Sequence, residues 1–257
     1  MEKQLLRTSP HCRKPSMPFF ASLKSSRLPA RLLAVAALLA GSPAQAQSFC
    51  ASDGQPQPVQ LLERFINADC DNCWNDPATP TPGSQAIALD WIIPGSRGND
   101  APLSAVATRD GLVRLAALKA SVPAGVRTVQ HPVQGIKGAR LRVAHGLPVS
   151  DYLGASIELQ PLSPAARQTL TVWLALVETL PTGTEGSPVE RNLVRNVFSR
   201  IWDGRKQLLK GEQNRLFESR SMNIPPAAQA ARLRVIGWVE NEKGQLLSAA
   251  QSRCAGP

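Results

Sequence analysis

The sequence predicts an α+β protein: a reduced α/β half followed by an antiparallel β-sandwich half. Three observations predict it. A three-part leader fills residues 1–46, so the folded part starts beyond it. A strand–Cys-x-x-Cys–strand–helix–strand order follows. After about residue 140, short β-branched or alternating runs recur, divided by Gly, Pro and Ser.

The leader has a basic stretch ending at Arg31, the apolar run Leu32–Ala40, the helix-ending Gly41, Ser42 and Pro43, and the small-residue signature Ala44-Gln45-Ala46. Its apolar run is about half of what a bilayer-spanning helix needs, which favours a cleaved signal peptide over a membrane anchor. Cleavage is expected after Ala46, with no membrane span left in the mature chain and a periplasmic or secreted location. Met1 and Met17 both remain open as the start. The leader also explains the charge. The whole chain is +10, but residues 1–46 hold seven basic side chains and one acid, Glu2, which leaves 22 basic and 18 acidic residues, a net of +4. That is an ordinary solubility charge, and the basic residues are not interleaved with aromatics, so no nucleic-acid partner is expected.

Residues 47–58 are polar, with Gly54, Pro56 and Pro58, and read as an extended lead-in. Val59–Ile66 is apolar enough for a strand. Cys70-Asp71-Asn72-Cys73 follows, and then Trp74–Gly83, which Pro77, Pro80 and Pro82 exclude from a regular helix. Gln85–Ile93 reads as a buried strand. Thr108–Ala120 carries Leu112, Leu115, Ala116 and Leu118 at helical spacing, with Thr108 or Ser104 as the cap. Val126–Val133 is a further strand. In the second half, strands are expected over Ser156–Leu162, Thr169–Glu178, Leu193–Ile201, Arg215–Met222, Ala231–Glu240 and Leu246–Arg253. The domains are therefore set at 47–140 and 141–257.

Export changes how the cysteines read. Cys12 lies in the leader, and the mature chain keeps Cys50, Cys70, Cys73 and Cys254. An even number in an oxidising compartment favours two disulfides, and four cysteines allow three pairings. Cys70–Cys73 and Cys50–Cys254 are favoured, because the second pair lies near the two mature ends and chain ends often meet. A bonded pair needs Cα atoms roughly 4.4–6.8 Å apart.

The order strand, Cys-x-x-Cys, strand, helix, strand is that of a thioredoxin-like half, and the motifs are more specific than the order. Glu63–Cys73 resembles the opening of a bacterial family of secreted thioredoxin-like proteins of unknown function, in which a Glu-Leu-Phe-Thr-like strand enters a Gly-Cys-Ser-Ser-Cys-like turn. Leu89-Asp90-Trp91 resembles that family's next strand. Val172–Leu176, Asn192–Arg195 and Trp202-Asp203-Gly204 resemble its β-rich C-terminal part, so the likeness runs in order through most of residues 55–253. The resemblance implies a two-part exported protein and places any thiol chemistry at Cys70 and Cys73. It brings little more, since the family's role is itself undefined. The chain also departs from the pattern. Trp74 follows the second cysteine where the family has Pro-Pro and a helix, and Pro132, late in its strand, is the nearest candidate for the proline that faces such a disulfide.

Thiol–disulfide exchange needs an accessible thiolate, which a helix N-terminus at the first cysteine supplies. Here that helix is missing, and Asp69, Asp71 and Asp76 add negative charge that raises a thiol's pKa. Cys70 and Cys73 are thus candidate catalytic residues weighed against a short structural disulfide. His131 and His145 lack zinc-finger spacing and read as surface or hydrogen-bonded residues, so no metal and no cofactor is expected. Asp90 reads as an edge or turn contact, or as a buried proton acceptor. Trp173, Trp202 and Trp238 read as core. The function expected is an exported thioredoxin-like protein with weak or no thiol–disulfide activity. The alternative is a non-enzymatic periplasmic binding module with structural disulfides and a protein partner.

Overall fold

A computed structural model describes residues 50–160, 168–203 and 215–254. The signal peptide expected over residues 1–46 lies outside them. The described strands are β1 (Cys50–Ala51), β2 (Gln60–Asn67), β3 (Ala86–Ile93), β4 (Val126–Pro132), β5 (Arg140–Val149), β6 (Tyr152–Gln160), β7 (Thr169–Leu180), β8 (Arg191–Asp203), β9 (Leu216–Asn223), β10 (Leu233–Asn241), β11 (Leu246–Gln251) and β12 (Arg253–Cys254). One α-helix, α1 (Asp110–Ala117), joins them among the described residues, with short 3-10 turns.

The strands form two sheets. Five are ordered β12-β1-β5-β6-β9, and seven are ordered β11-β10-β7-β8-β3-β2-β4. The expected α/β half does not form. β2 and β3 are parallel, yet the connection between them holds no helix, and β3 runs parallel to β8 with Asp90 opposite Leu193. That contact merges the parallel pair with the antiparallel strands β8, β7, β10 and β11, so strands from both sides of residue 140 share one sheet within the unit Gln47–Pro257. The fold is β-rich throughout. The physical reason is local. Pro77, Pro80 and Pro82 deny the crossover a helix, and the buried strand β3 then pairs with the buried start of β8.

The long strands follow from their side-chain pattern. β7 and β10 are apolar on both faces, as strands buried on both sides must be. One face of the seven-stranded sheet packs on the five-stranded sheet through Leu141, Val143, Ile157, Leu174, Val235 and their neighbours. The sheets approach closely at Gly237. A Cβ there would stand 2.6 Å from both Ile157 Cδ1 and Val143 Cγ1, so β10 needs glycine at the crossing. The other face carries Phe65, Trp91, Trp173 and Trp238 beneath Leu115 of α1. Phe65 stacks on Trp91 and Trp173 on Trp238, with ring centroids 5.9 and 5.7 Å apart.

The helix starts later than its periodicity suggested. Arg109 sits at its N-cap with no side-chain bond, while the Thr108 N–H is taken by Ile92 O at 3.0 Å. β5 was not foreseen, because Gly146 and Pro148 interrupt its run. A register shift between His145 and Pro148 absorbs them.

Candidate functional site

β2 positions the cysteine turn. Its last residue, Asn67, ties that turn to the loop before β4: the Asn67 N–H donates to Gly125 O at 2.8 Å, and Nδ2 donates to Pro123 O at 2.9 Å. Asn67 Oδ1 accepts from the Asp69 N–H at 2.9 Å. The disulfide Cys70–Cys73 lies in this turn, with Cα atoms 5.6 Å apart and both residues half-buried. Cys70, Asn72, Cys73, Asn75, Asp76 and Pro77 line an open depression of about 330 Å³ around it. Gly125 faces it: a Cβ on that residue would lie 3.6 Å from Cys73 Sγ and 4.0 Å from Cys70 Sγ. Pro132, the candidate from the sequence, pairs instead with Gln60 at the far end of β4. A glycine immediately before a strand was the signal that could have marked Gly125 as the residue opposite the disulfide.

The aspartates around the turn are less unfavourable than their number suggests. Asp69 accepts from Ser96 N–H at 2.6 Å, Ser96 Oγ–H at 2.8 Å and Arg97 N–H at 3.2 Å. Desolvation raises its pKa, and these bonds more than reverse that, so the carboxyl titrates below the usual range. Asp71 pairs with Arg97 at 3.1 Å, a solvent-exposed contact. Asp76 accepts from the Ala78 N–H at 2.8 Å and shapes its own loop.

What replaces the missing helix is a pair of buried arginines. Trp74 turns inward and is buried. Arg191 Nη2 donates to Trp74 O at 2.8 Å, and its guanidinium lies 4.9 Å from the Trp74 ring centre. Arg64 Nη1 donates to Pro80 O at 2.9 Å. Asp90 neutralises both, with Oδ1 2.9 Å from Arg191 Nη1 and Oδ2 2.7 Å from Arg64 Nη2. Asp90 is thus neither an edge contact nor a lone acceptor. It is the wholly buried counter-ion that holds the irregular segment 74–80.

The neighbouring residues build a second network on the opposite face, since successive side chains of a strand alternate. Glu63 accepts from Trp91 Nε1 at 3.1 Å and pairs with Arg114 of α1 at 2.7 Å and His131 of β4 at 2.9 Å. Arg114 also meets Glu240 at 2.7 Å and lies 5.0 Å from the Trp173 ring centre. Trp173 and Trp238 both donate to Glu240. Burial pushes the Glu63 pKa up, but the charge of Arg114 and the hydrogen bonds from His131 and Arg114 outweigh it and hold the pKa at about 2. Sequence reading assigned the tryptophans to the core and missed the charges between them.

A third buried pair, Glu178 and Arg195, stands beside a cavity of about 120 Å³ lined also by Trp74, Leu103, Leu193 and Gln229. Glu178 also accepts from the Gln229 N–H at 3.0 Å.

The second disulfide, Cys50–Cys254, links β1 to the adjacent edge strand β12 of the five-stranded sheet, between residues 204 apart in sequence. Its Cα atoms are 4.0 Å apart, below the range expected from the sequence, because β1 and β12 are paired with Cys50 directly opposite Cys254. His145 lies opposite Cys50 on the other side, in β5. Burial first of all, and the charge of Arg234, set its pKa below the usual histidine range against a hydrogen bond with Gly146 O. No described helix is long and apolar enough to cross a membrane.

No family model matches this chain, and no curated protein matches it. Among solved structures, HBP35 of Porphyromonas gingivalis is similar at 11% identity with a TM-score of 0.49, over 77% of this chain and 76% of that chain.

Proposed function

We propose that this is an exported, disulfide-stabilised protein, periplasmic or secreted, in which Cys70–Cys73 staples the turn after β2 and exchanges slowly. The observation that carries this is the state of residues 74–80. They are tied down by Arg64 and Arg191 as irregular chain, so no helix N-terminus stands behind Cys70 to stabilise its thiolate. Export is supported by the leader with its Ala44-Gln45-Ala46 signature, and by two disulfides, which persist in oxidising compartments. The ordered motifs from Glu63 to Gly204 support kinship with secreted thioredoxin-like proteins of undefined role.

The test is the reduction potential of Cys70–Cys73, read by equilibration with a dithiol buffer and peptide mass mapping. A value near or below about −300 mV is expected for a structural pair. A value well above that, together with an apparent Cys70 pKa below about 7, would make the protein an oxidoreductase instead.

A second reading, a binding module without chemistry, is favoured by the β5–β6 hairpin. Leu147, Val149 and Tyr152 at its tip are 58%, 72% and 51% exposed. Under that reading, the phenotype of a deletion strain is restored by the Cys70→Ser/Cys73→Ser variant and not by Val149→Asp/Tyr152→Asp.

A further inference from the structure

We propose that the Cys50–Cys254 disulfide is the closed form of a metal site: once it is reduced, Cys50, Cys254 and His145 together hold one Zn²⁺, with a fourth position open to solvent. The backbone sets the three residues in one row. β12, β1 and β5 are adjacent strands, Cys50 is opposite Cys254 on one side and opposite His145 on the other, and residues directly opposite one another project from the same face of a sheet. The side chains converge accordingly. One ring nitrogen of His145 and the two sulfurs all lie within 4.8 Å of one another.

The histidine is prepared for this role. His145 is 5% exposed, and its Nδ1 lies 2.8 Å from Gly146 O. A carbonyl can only accept, so this contact places a proton on Nδ1 and leaves the lone pair on Nε2, the tautomer that a metal-binding imidazole adopts when a carbonyl orients it. Nε2 is buried and has no hydrogen-bond partner. His145 thus carries an unused lone pair on a buried nitrogen, and its ring stands within reach of both sulfurs.

The chemistry balances with a dithiol as reductant. The dithiol gives two electrons and two protons to the Cys50–Cys254 bond and becomes a disulfide, leaving two thiols. Zn²⁺ then displaces those two protons, and the neutral set of two thiolates, one imidazole and one cation forms. Zinc–sulfur bonds of about 2.3 Å hold two sulfurs roughly 3.8 Å apart at a tetrahedral angle, a separation that rotation about the Cα–Cβ bonds reaches once the S–S bond is gone. Thiolate and imidazole ligands select zinc over harder cations. The disulfide thus gates the site: oxidised, the sulfurs are committed to each other, and reduced, they accept the ion.

The test uses the purified protein with Cys70→Ser and Cys73→Ser, so that one disulfide remains. After reduction with a phosphine and incubation with Zn²⁺, the expected content is one zinc per chain, against none in the oxidised protein. His145→Gln should weaken zinc binding by more than about tenfold, the lower bound for losing even an outer-shell partner. X-ray absorption at the zinc edge of the reduced parent should show two sulfur and one imidazole ligand, which covers the case in which His145→Gln fails to fold. Zinc bound equally by the oxidised protein, no zinc retained after reduction, an unchanged affinity in His145→Gln or a ligand set without imidazole would each overturn the proposal.

Discussion

Asp90 and Arg191 are 101 residues apart in the chain, and their side chains meet at 2.9 Å where neither is more than 1% exposed. This ion pair fastens β3 to the start of β8, and through Arg191 it also fastens the Trp74 carbonyl. A buried pair of this kind gives little net stability compared with an apolar substitute, but breaking it leaves a charge without a partner.

Asp90→Ala removes the counter-ion of both Arg64 and Arg191. The expected loss is about 3–5 kcal/mol in urea unfolding, with release of the 74–80 segment to proteolysis. Arg191→Met should cost less, because Arg64 still pairs with Asp90. A loss below about 1 kcal/mol for Asp90→Ala, the scale of a surface ion pair, would remove Asp90 from the centre of this network.

Glu63 gives the protein an acid limit. Its folded-state pKa of about 2 lies below the ordinary 4.5. A depressed carboxyl contributes its full stability above the unfolded value, so the contribution is complete above pH 4.5 and fades as the pH falls from there towards 2. The difference corresponds to roughly 3 kcal/mol. Urea midpoints measured from pH 6 to pH 2 should fall across that window, and Glu63→Gln should flatten the dependence there while lowering stability at neutral pH. An identical pH profile in the variant would contradict the assignment.

Loss of the Cys50–Cys254 bond should lower stability by roughly 2–5 kcal/mol, because the bond closes a long loop in the unfolded chain. Thermal unfolding of Cys50→Ser/Cys254→Ser measures this directly. The same variant should leave the reactivity of Cys70 unchanged, since Cys50 and Cys254 lie in the five-stranded sheet and Cys70 and Cys73 in the turn after β2 of the seven-stranded one.

Intact-mass analysis of periplasmic or extracellular material should find a chain beginning at Gln47 or within a few residues of it. Recovery of a form that retains Arg31 would show that the leader is not processed as its Ala44-Gln45-Ala46 signature indicates.

The sequence marked most individual strands because their signal is local. Gln85–Ile93 and β3 differ by one residue at one end, and Thr169–Glu178 falls inside β7. Prolines 77, 80 and 82 correctly excluded a helix after Cys73, since a proline's lost donor and ring clash act within one turn. The ends of the chain were also legible as partners, as Cys50 and Cys254 are bonded in the structure. β5 escaped because a bulge lets a strand run through Gly146 and Pro148, and nothing in the local pattern announces the partner strand that makes this tolerable.

What the sequence determined by itself was the identity of the short-range units: strands by their alternation and turns by their Gly and Pro. What only the tertiary structure decided was how those units associate. The single pairing of Asp90 with Leu193 turns two expected halves into one sheet. It also makes Asp90, Arg64 and Arg191 a buried network, and Glu63, Arg114, His131 and Glu240 another. Ion pairs between residues far apart in sequence leave no periodic trace, because their cost and their stabilisation both depend on burial, and burial exists only once the sheets have packed.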